Sequence, residues 1–189
     1  MTINQHSCEG KTEAELIRLA RGEAEYFICI MRRFEAPLLR YIHRITSVDD
    51  DEAADLLQEI FIKAYKNLNA IDETISVSAW LYRATRNHVI SSYRKQLARP
   101  QLLQNNDDEF ISTIASDVDL SLATDQILLR ERLNRALSQL PDKYREVVVL
   151  RYFEEKEYKE ISDITKKPIG TISTLLSRAK GELKRLLTT

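Results

Sequence analysis

One face of a predicted helix near the end of the sequence has the residue types that contact a DNA groove. The sequence of residues 158–187 predicts two helices joined by a short turn. The exposed face of the second carries hydroxyl groups, a glycine and cations but no acid: Ser173, Thr174, Ser177, Arg178, Gly181, Lys184 and Arg185. Small hydroxyl side chains allow close approach and hydrogen bonding to base edges, while cations bind phosphates. The face therefore predicts DNA binding.

A second face, earlier in the chain, suggests contact with an unpaired strand. Residues 80–100 contain no acid and five cations: Arg83, Arg86, Arg94, Lys95 and Arg99. On a helix starting near Ala79, Trp80 falls on the same face as Arg83, Asn87 and Arg94. An indole on a basic, wet face could stack on an unpaired base. The alternative is that Trp80 packs beneath residues 69–78 and the arginines form a solvated face.

The first of these faces is positioned by an apolar stripe on the opposite side of its helix. Residues of this stripe recur at helical spacing: Ile172, Leu176, Ala179, Leu183 and Leu186. Such periodicity predicts an amphipathic helix whose apolar side packs inward. Together with residues 158–165, it predicts a helix-turn-helix.

Composition predicts an all-α fold. The 189 residues include only four glycines and four prolines, whereas hairpins and strands require turn residues. The net charge of −1 hides an uneven distribution, because acids concentrate in residues 49–59 and 107–125. The N-terminus is polar and no apolar run could span a bilayer, which predicts a cytoplasmic protein without membrane insertion.

The predicted helices form two small domains joined by a flexible acidic linker. Residues 12–98 form the first domain, residues 99–124 the linker, and residues 125–189 the second domain, which contains the helix-turn-helix. Thr12 with Glu15 predicts a capping box at the first helix, and an aspartate among residues 49–51 predicts another N-cap. Pro141 predicts the start of a helix in the second domain.

No set of residues predicts catalysis, a metal site or a cofactor. Asp51, Asp55 and Glu59 repeat every four residues, but hard cations need ligands that converge from several segments. Neither His43 nor His88 has an acid spaced to orient it, so both are expected to be structural. Cys8 and Cys29 make no metal-binding spacing and are expected to be free thiols.

Both predicted domains resemble those of bacterial sigma factors of the extracytoplasmic-function group, group 4. EAADLLQEIFIKAY resembles region 2.2, and AWLYRATRN followed by YRK resembles regions 2.3 and 2.4. LPDKYREVVVLRYF, EIS, GTIS and LSRAK resemble region 4. The resemblance covers residues 12–187 in the family's order. It implies a non-catalytic protein that binds core RNA polymerase and promoter DNA, and that is controlled by an anti-sigma factor.

The resemblance also implies roles for single residues. Docking on the polymerase clamp would use Asp55, Gln58, Glu59 and Lys63, with Phe61 buried beneath them. Recognition of the −35 element would use Thr171, Ser173, Thr174, Ser177, Arg178 and Lys180.

The −10 element would be read by the first domain. Residues 69–78, including Asn69 and Asp72, would form a pocket for a flipped base, whose unstacking costs a few kcal/mol. The melted strand would lie along Trp80, Arg83, Arg86, Asn87, Arg94 and Lys95.

Three positions depart from the family pattern. Ser91 stands where aspartate is frequent, and Lys166 stands where the family commonly has a turn glycine, which changes the expected turn geometry. Leu175 replaces a common arginine and lies at the rim of the apolar stripe, which favours packing over DNA contact.

The sequence thus predicts an alternative sigma factor that directs promoter-specific transcription. Three alternatives stay open at this point: a stand-alone helix-turn-helix regulator, a protein that sequesters a partner through apolar helices, and a small helical enzyme. The first leaves the Trp80 face unexplained, and the last lacks convergent titratable residues.

Overall fold

The computed structural model describes residues 8–46, 48–71, 76–97 and 124–188, with only the backbone for residues 94–97, 124–128 and 130. These residues are mostly helical and include no strand, which confirms the all-α prediction. The α-helices are α1 (Glu13–Gly22), α2 (Phe27–Ile45), α3 (Asp50–Lys66), α4 (Val77–Leu97), α5 (Thr124–Gln139), α6 (Asp142–Val148), α7 (Tyr158–Thr165) and α8 (Ile169–Thr188). Residues 98–123, which hold most of the predicted linker, lie outside the described residues.

Polar caps fix the starts of α1 and α3 as the sequence predicts. The backbone N–H of Glu15 donates to Thr12 Oγ1 at 3.3 Å, and the N–H of Thr12 donates to the Glu15 carboxylate at 2.7 Å. These hydrogen bonds to Thr12 lower the pKa of Glu15. Asp49 caps α3 by accepting from the N–H of Glu52 at 2.8 Å. The caps satisfy amide groups that have no partner within their helices.

Helix α4 lies at the centre of the molecule. Val77 to Tyr82 are six consecutive buried residues, and Thr85 and Val89 are also buried one and two turns later. Helices α1, α2 and α3 pack on α4 from one group of helices, and α7 packs on it from the other. A helix with neighbours on several sides buries residues all round its circumference rather than along one stripe.

The second group comprises α5 to α8: α5 packs on α8, and α6 begins directly after its N-cap, Pro141, where the sequence predicts the start of a helix. After α6 the chain forms a π-helical turn, Val149–Phe153, and a capping box between Glu157 and Glu160 starts α7. Helix α7 then packs on α8, so that the two form the predicted helix-turn-helix. The predicted stripe of α8 is confirmed, since Ile172, Leu176 and Ala179 are buried and the following two leucines are partly buried.

The turn between α7 and α8 has left-handed backbone at a lysine. Lys166 adopts φ 57° and ψ 36°, the conformation that glycine adopts without steric cost. Lys166 therefore adopts a backbone conformation that a glycine at this position would also allow. The left-handed conformation has a steric cost here, because lysine has a Cβ atom and glycine does not.

The prediction of free thiols is wrong. Cys8 and Cys29 form a disulfide, with their Cα atoms 5.4 Å apart. The turn at residues 8–10, in which Gly10 has φ 72°, brings the chain before α1 against the buried start of α2. Sequence spacing did not reveal this pairing, because it depends on how α1 folds back on α2.

The two groups of helices pack directly on each other. One apolar cluster contains residues from both, including Leu38 and Leu81 from the first group and Val147, Leu150 and Ile161 from the second. The charged contacts across this boundary are described below.

Substitution of Lys166 tests the cost of the left-handed turn. We expect Lys166→Gly to raise the free energy of unfolding by about 0.5–1 kcal/mol, because glycine adopts this conformation freely. The same substitution at Lys159, an exposed position in the first turn of α7, should lower it by up to about 1 kcal/mol. Urea unfolding of both variants measures the difference, and a loss of stability in Lys166→Gly would contradict the assignment of strain to this turn.

Candidate nucleic-acid interface

Helix α8 presents all six residues predicted to face the −35 element. Thr171, Ser173, Thr174, Ser177, Arg178 and Lys180 are exposed, while Ile172, Leu176 and Ala179 hold the opposite side in the core. The α7–α8 packing thus places hydroxyl groups and cations on one accessible helix face. This arrangement has the shape and chemistry required for a major groove.

Two of these side chains already have partners within the protein. Thr174 Oγ1 donates to the carbonyl oxygen of Gly170 at 2.9 Å, which leaves the hydroxyl oxygen as an acceptor for a base. Lys180 Nζ lies 5.6 Å from the ring centroid of Tyr152, and its hydrogen bond to Tyr152 raises the pKa of Lys180. Lys180 is therefore held as a cation beside an exposed tyrosine.

Leu175 packs at the edge of the core, as predicted from its place on the helix. Its side chain is partly buried and contacts the main apolar cluster. It stabilises the packing of α8 on the core and is not part of the exposed polar face.

Trp80 does not lie on a wet face. Its exposure is 9 %, and it belongs to the main apolar cluster. The prediction of an exposed indole is wrong. Helical periodicity predicts one exposed face for a helix that packs on one side, whereas α4 has neighbours in both groups of helices. The buried position matches the alternative in which Trp80 packs inside the protein. A role for Trp80 in DNA binding stays a prediction.

The other residues predicted to meet the −10 element differ in their surroundings. Asn87 is exposed and Arg83 is half-buried. Asn69 is exposed on a 3₁₀ turn, Leu68–Ala70, which Arg21 holds by donating to the carbonyl oxygens at both its ends, Leu68 and Ile71, each at 3.2 Å. Asp72 and the side chains of Arg94 and Lys95 lie outside the described part of the chain.

Arg86 is engaged with an acid from the second group of helices. Its Nε donates to Glu146 Oε1, and its Nη2 donates to Glu146 Oε2 at 3.4 Å. Lys167 Nζ lies 3.8 Å from the same carboxylate. Glu146 thus neutralises one cation of the predicted −10 face.

Glu154 is the most buried acid at this boundary. Its side chain is 3 % exposed, and it accepts hydrogen bonds from Arg44 Nη1 at 2.8 Å and from the hydroxyl of Tyr82 at 2.6 Å. Burial and the Glu154 charge raise the pKa of Tyr82 far above its usual range. The guanidinium of Arg44 also lies over the Phe153 ring, 4.7 Å from its centroid.

Sequence reasoning missed Tyr82, Glu146 and Glu154. One signal was available, since Glu146 stands directly before the apolar run VVVL and Glu154 directly after YF. An acid beside a strongly apolar segment favours a buried, paired carboxylate.

The residues predicted to dock on a polymerase clamp lie on the exposed side of α3. Asp55, Gln58, Glu59 and Lys63 are exposed, and Phe61 is buried as expected. Lys63 Nζ lies 3.6 Å from the Glu59 carboxylate and 2.7 Å from His88 Nδ1, and His88 Nε2 lies 3.1 Å from Glu59. The expectation that no acid orients His88 is wrong, because the acid comes from the neighbouring helix.

Two kinds of feature are absent from residues 8–46, 48–71, 76–97 and 124–188. Within these ranges, no cluster of three or more His, Cys, Asp or Glu side chains is placed to hold a metal ion. None of the helices in the same ranges has the length and hydropathy needed to cross a membrane.

Two family profiles match the chain in sequence. Residues 30–99 match "Sigma-70 region 2", and residues 130–183 match "Sigma-70, region 4". The first match covers most of α2–α4 and the second runs from most of α5 through most of α8.

Curated relatives extend over nearly the whole chain. It is 32% identical over 157 residues to the ECF RNA polymerase sigma factor SigM of Bacillus subtilis (strain 168), which covers 83% of this chain and 92% of SigM. It is 29% identical over 179 residues to the ECF RNA polymerase sigma factor SigW of the same organism, which covers 90% of this chain and 93% of SigW.

Solved structures share the fold. CnrH, solved in complex with the cytosolic domain of CnrY, gives a TM-score of 0.68 at 20% identity and covers 93% of this chain and 97% of its own. The sigma factor RpoE of Bartonella quintana, solved with the anti-sigma factor NepR, gives a TM-score of 0.63 at 23% identity, with 86% and 97% covered.

The burial of Trp80 is testable by fluorescence, because the chain has a single tryptophan. We expect native emission to be blue-shifted and poorly quenched by acrylamide compared with the urea-unfolded chain. Trp80→Ala should lower the free energy of unfolding by about 3–5 kcal/mol through cavity formation. Tyr93→Ala, at a 61% exposed position of the same helix, should change it by less than about 0.5 kcal/mol. Native emission equal to that of the unfolded chain would contradict the burial.

Proposed function

The chain belongs to the extracytoplasmic-function RNA polymerase sigma factors, alternative sigma factors that direct transcription, and we propose that it binds core polymerase and reads two promoter elements. The exposed acid-free face of α8 carries this proposal, since it offers hydroxyl groups and cations to a duplex. We assign that face, with Thr171, Ser173, Thr174, Ser177, Arg178 and Lys180, to the −35 element.

The division of labour follows the two matched regions. We propose that residues 12–98 bind the polymerase clamp and the melted −10 strand, that residues 99–124 connect, and that residues 125–189 bind the −35 duplex. Residues 30–99 and 130–183 match regions 2 and 4, which supports this division. Within the family, we propose membership of group 4. A stand-alone helix-turn-helix regulator would account for the second match only.

We assign polymerase docking to the exposed side of α3. Asp55, Gln58, Glu59 and Lys63 are accessible there, and the buried Phe61 anchors the helix in the core. The family is one of initiation factors without catalysis of their own, and we propose the same for this chain, acting in the cytoplasm beside the polymerase.

We also propose control by an anti-sigma factor. RpoE of Bartonella quintana was solved with such a protein, and this chain shares the fold. A pull-down of the tagged full chain from its native extract should recover subunits of RNA polymerase and, in addition, an anti-sigma factor. Recovery of polymerase alone under inducing and non-inducing growth would contradict this proposal.

Runoff transcription with core polymerase on a randomised promoter library tests the proposed function. We expect transcripts that depend on this chain and that share two spaced motifs. Duplex carrying those motifs should bind the free chain weakly and the polymerase complex strongly, because the polymerase raises the effective concentration of one domain once the other is bound. Absence of any transcript above core polymerase alone would contradict the proposal.

Arg178→Ala tests the role of the α8 face. We expect about a tenfold loss of transcription from a selected promoter, the size of one lost phosphate or base contact, with polymerase binding unchanged. Arg135→Ala is the matched control, because it removes the same charge from an exposed position on α5. Equal losses in the two variants would show that net charge, and not this face, governs the effect.

A further inference from the structure

Helix α1 precedes the segment that matches region 2, which begins at residue 30. It packs on the 3₁₀ turn Leu68–Ala70 and on α4 as well as on α2. The turn and the start of α4 lie on either side of residues 72–75, which are outside the described residues. One helix therefore contacts the chain on both sides of that segment.

Arg21, in the last turn of α1, binds the backbone of the 3₁₀ turn. Its Nε donates to the carbonyl oxygen of Leu68, and its Nη2 donates to that of Ile71, each at 3.2 Å. A guanidinium is planar and its donors have fixed spacing, so this side chain fixes the distance between the two carbonyl groups. Asn69 lies between them in sequence and is exposed. Arg21 thereby sets the position from which the Asn69 amide can reach a base.

Glu13, in the first turn of α1, binds the start of α4. Its Oε2 accepts from the backbone N–H of Ser78 at 3.1 Å, and Ser76 Oγ accepts from the N–H of Ala79 at 3.1 Å. Amides in the first turn of a helix have no partner within it, and the helix dipole favours a negative charge there. Glu13 thus caps α4 from a different helix.

The two contacts are joined by one rigid element. At a rise of 1.5 Å per residue, Glu13 and Arg21 are separated by about 12 Å along the helix axis. The apolar side of α1 is buried in the main cluster through Leu16, Ile17 and Ala20. The disulfide between Cys8 and Cys29 joins the chain before α1 to α2. Because α1 is fixed on the core, it also fixes the 3₁₀ turn and the start of α4 relative to each other.

We propose that Arg21 and Glu13 are positioning residues for recognition of the −10 element: they hold the 3₁₀ turn and the start of α4 so that Asn69 meets an unpaired base in one fixed orientation. The inference rests on the proposed function for the assignment of Asn69 to that base. A side chain that reads a ligand must be held within about 0.5 Å of its productive position by residues that support it. In this role Arg21 and Glu13 act through the backbone and do not touch the DNA.

Base preference in transcription tests the role of Arg21. Core polymerase with the full chain is assayed by runoff transcription on a selected promoter and on templates with single substitutions in each of its two motifs. We expect Arg21→Lys to reduce the preference for the selected base at one −10 position about tenfold, because an ammonium group cannot bridge two carbonyl groups as a planar fork does. Preference at the −35 motif should not change. Arg18→Lys, at an exposed position of the same helix, should keep both preferences.

The preference is a ratio, so it separates positioning from a loss of folded protein. Unfolded molecules transcribe no template, which lowers every signal by the same factor and leaves the ratio unchanged. A wild-type ratio at every −10 position in Arg21→Lys, or an equal loss of preference at both motifs, overturns the inference.

A double-mutant cycle with Asn69 shows through which residue Arg21 acts. Asn69→Ala alone should reduce the same −10 preference, and the addition of Arg21→Lys should have no further effect, because coupled residues are not additive. Losses that multiply independently overturn the inference. Wild-type preference in Asn69→Ala contradicts the assignment of Asn69 in the proposed function, and the inference falls with it. Loss of preference in Asn69→Ala but not in Arg21→Lys counts against the inference alone.

Amide hydrogen exchange in the full chain tests the contact of Glu13 without DNA. We expect the N–H of Ser78 to exchange about tenfold faster in Glu13→Ala than in the wild type, because it loses its acceptor. Glu13→Gln retains an acceptor oxygen, so it should restore both slow exchange and the −10 preference. Glu35→Ala, at an exposed position on α2, is the matched control and should leave both unchanged. Wild-type exchange at Ser78 in Glu13→Ala overturns the role of Glu13.

Discussion

The packing of α4 between the two groups of helices is the constraint on which the rest of the structure depends. Six consecutive buried residues, Val77 to Tyr82, require neighbours around the whole circumference of the helix start. Helices α1, α2 and α3 supply part of that cover, and α7 supplies another part. Because α7 also supports α8, the same packing that completes the core of the first group fixes where the helix-turn-helix sits.

Apolar contact and polar contact have different roles at this boundary. The apolar cluster that spans both groups, with Leu81 and Leu150 fully buried, supplies the attraction. The carboxylate of Glu154 adds little net stability but demands two donors in fixed places, which makes a shifted arrangement costly. The acid therefore sets the register of a boundary that the apolar residues hold together.

The elements that the sequence predicted well are those determined by near neighbours. The capping box at Thr12, the start of α6 after Pro141 and the apolar stripe of α8 all depend on residues within a few positions, and all are present. Helical periodicity also identified the exposed face of α8, since that helix has neighbours mainly on one side.

The features that the sequence did not predict depend on distant neighbours. Trp80 is buried because a second group of helices contributes to the surroundings of α4, and periodicity cannot show how many sides of a helix are covered. The disulfide between Cys8 and Cys29 and the contact of Glu154 with Arg44 join segments whose meeting is decided by tertiary packing. The same contacts also reduce the positive charge that is available to DNA. Arginines of the first group are neutralised by acids of the second, so fewer cations are available to displace counterions from DNA. We therefore expect the free chain to bind DNA weakly, because these ion pairs add to the effect of a net charge of −1.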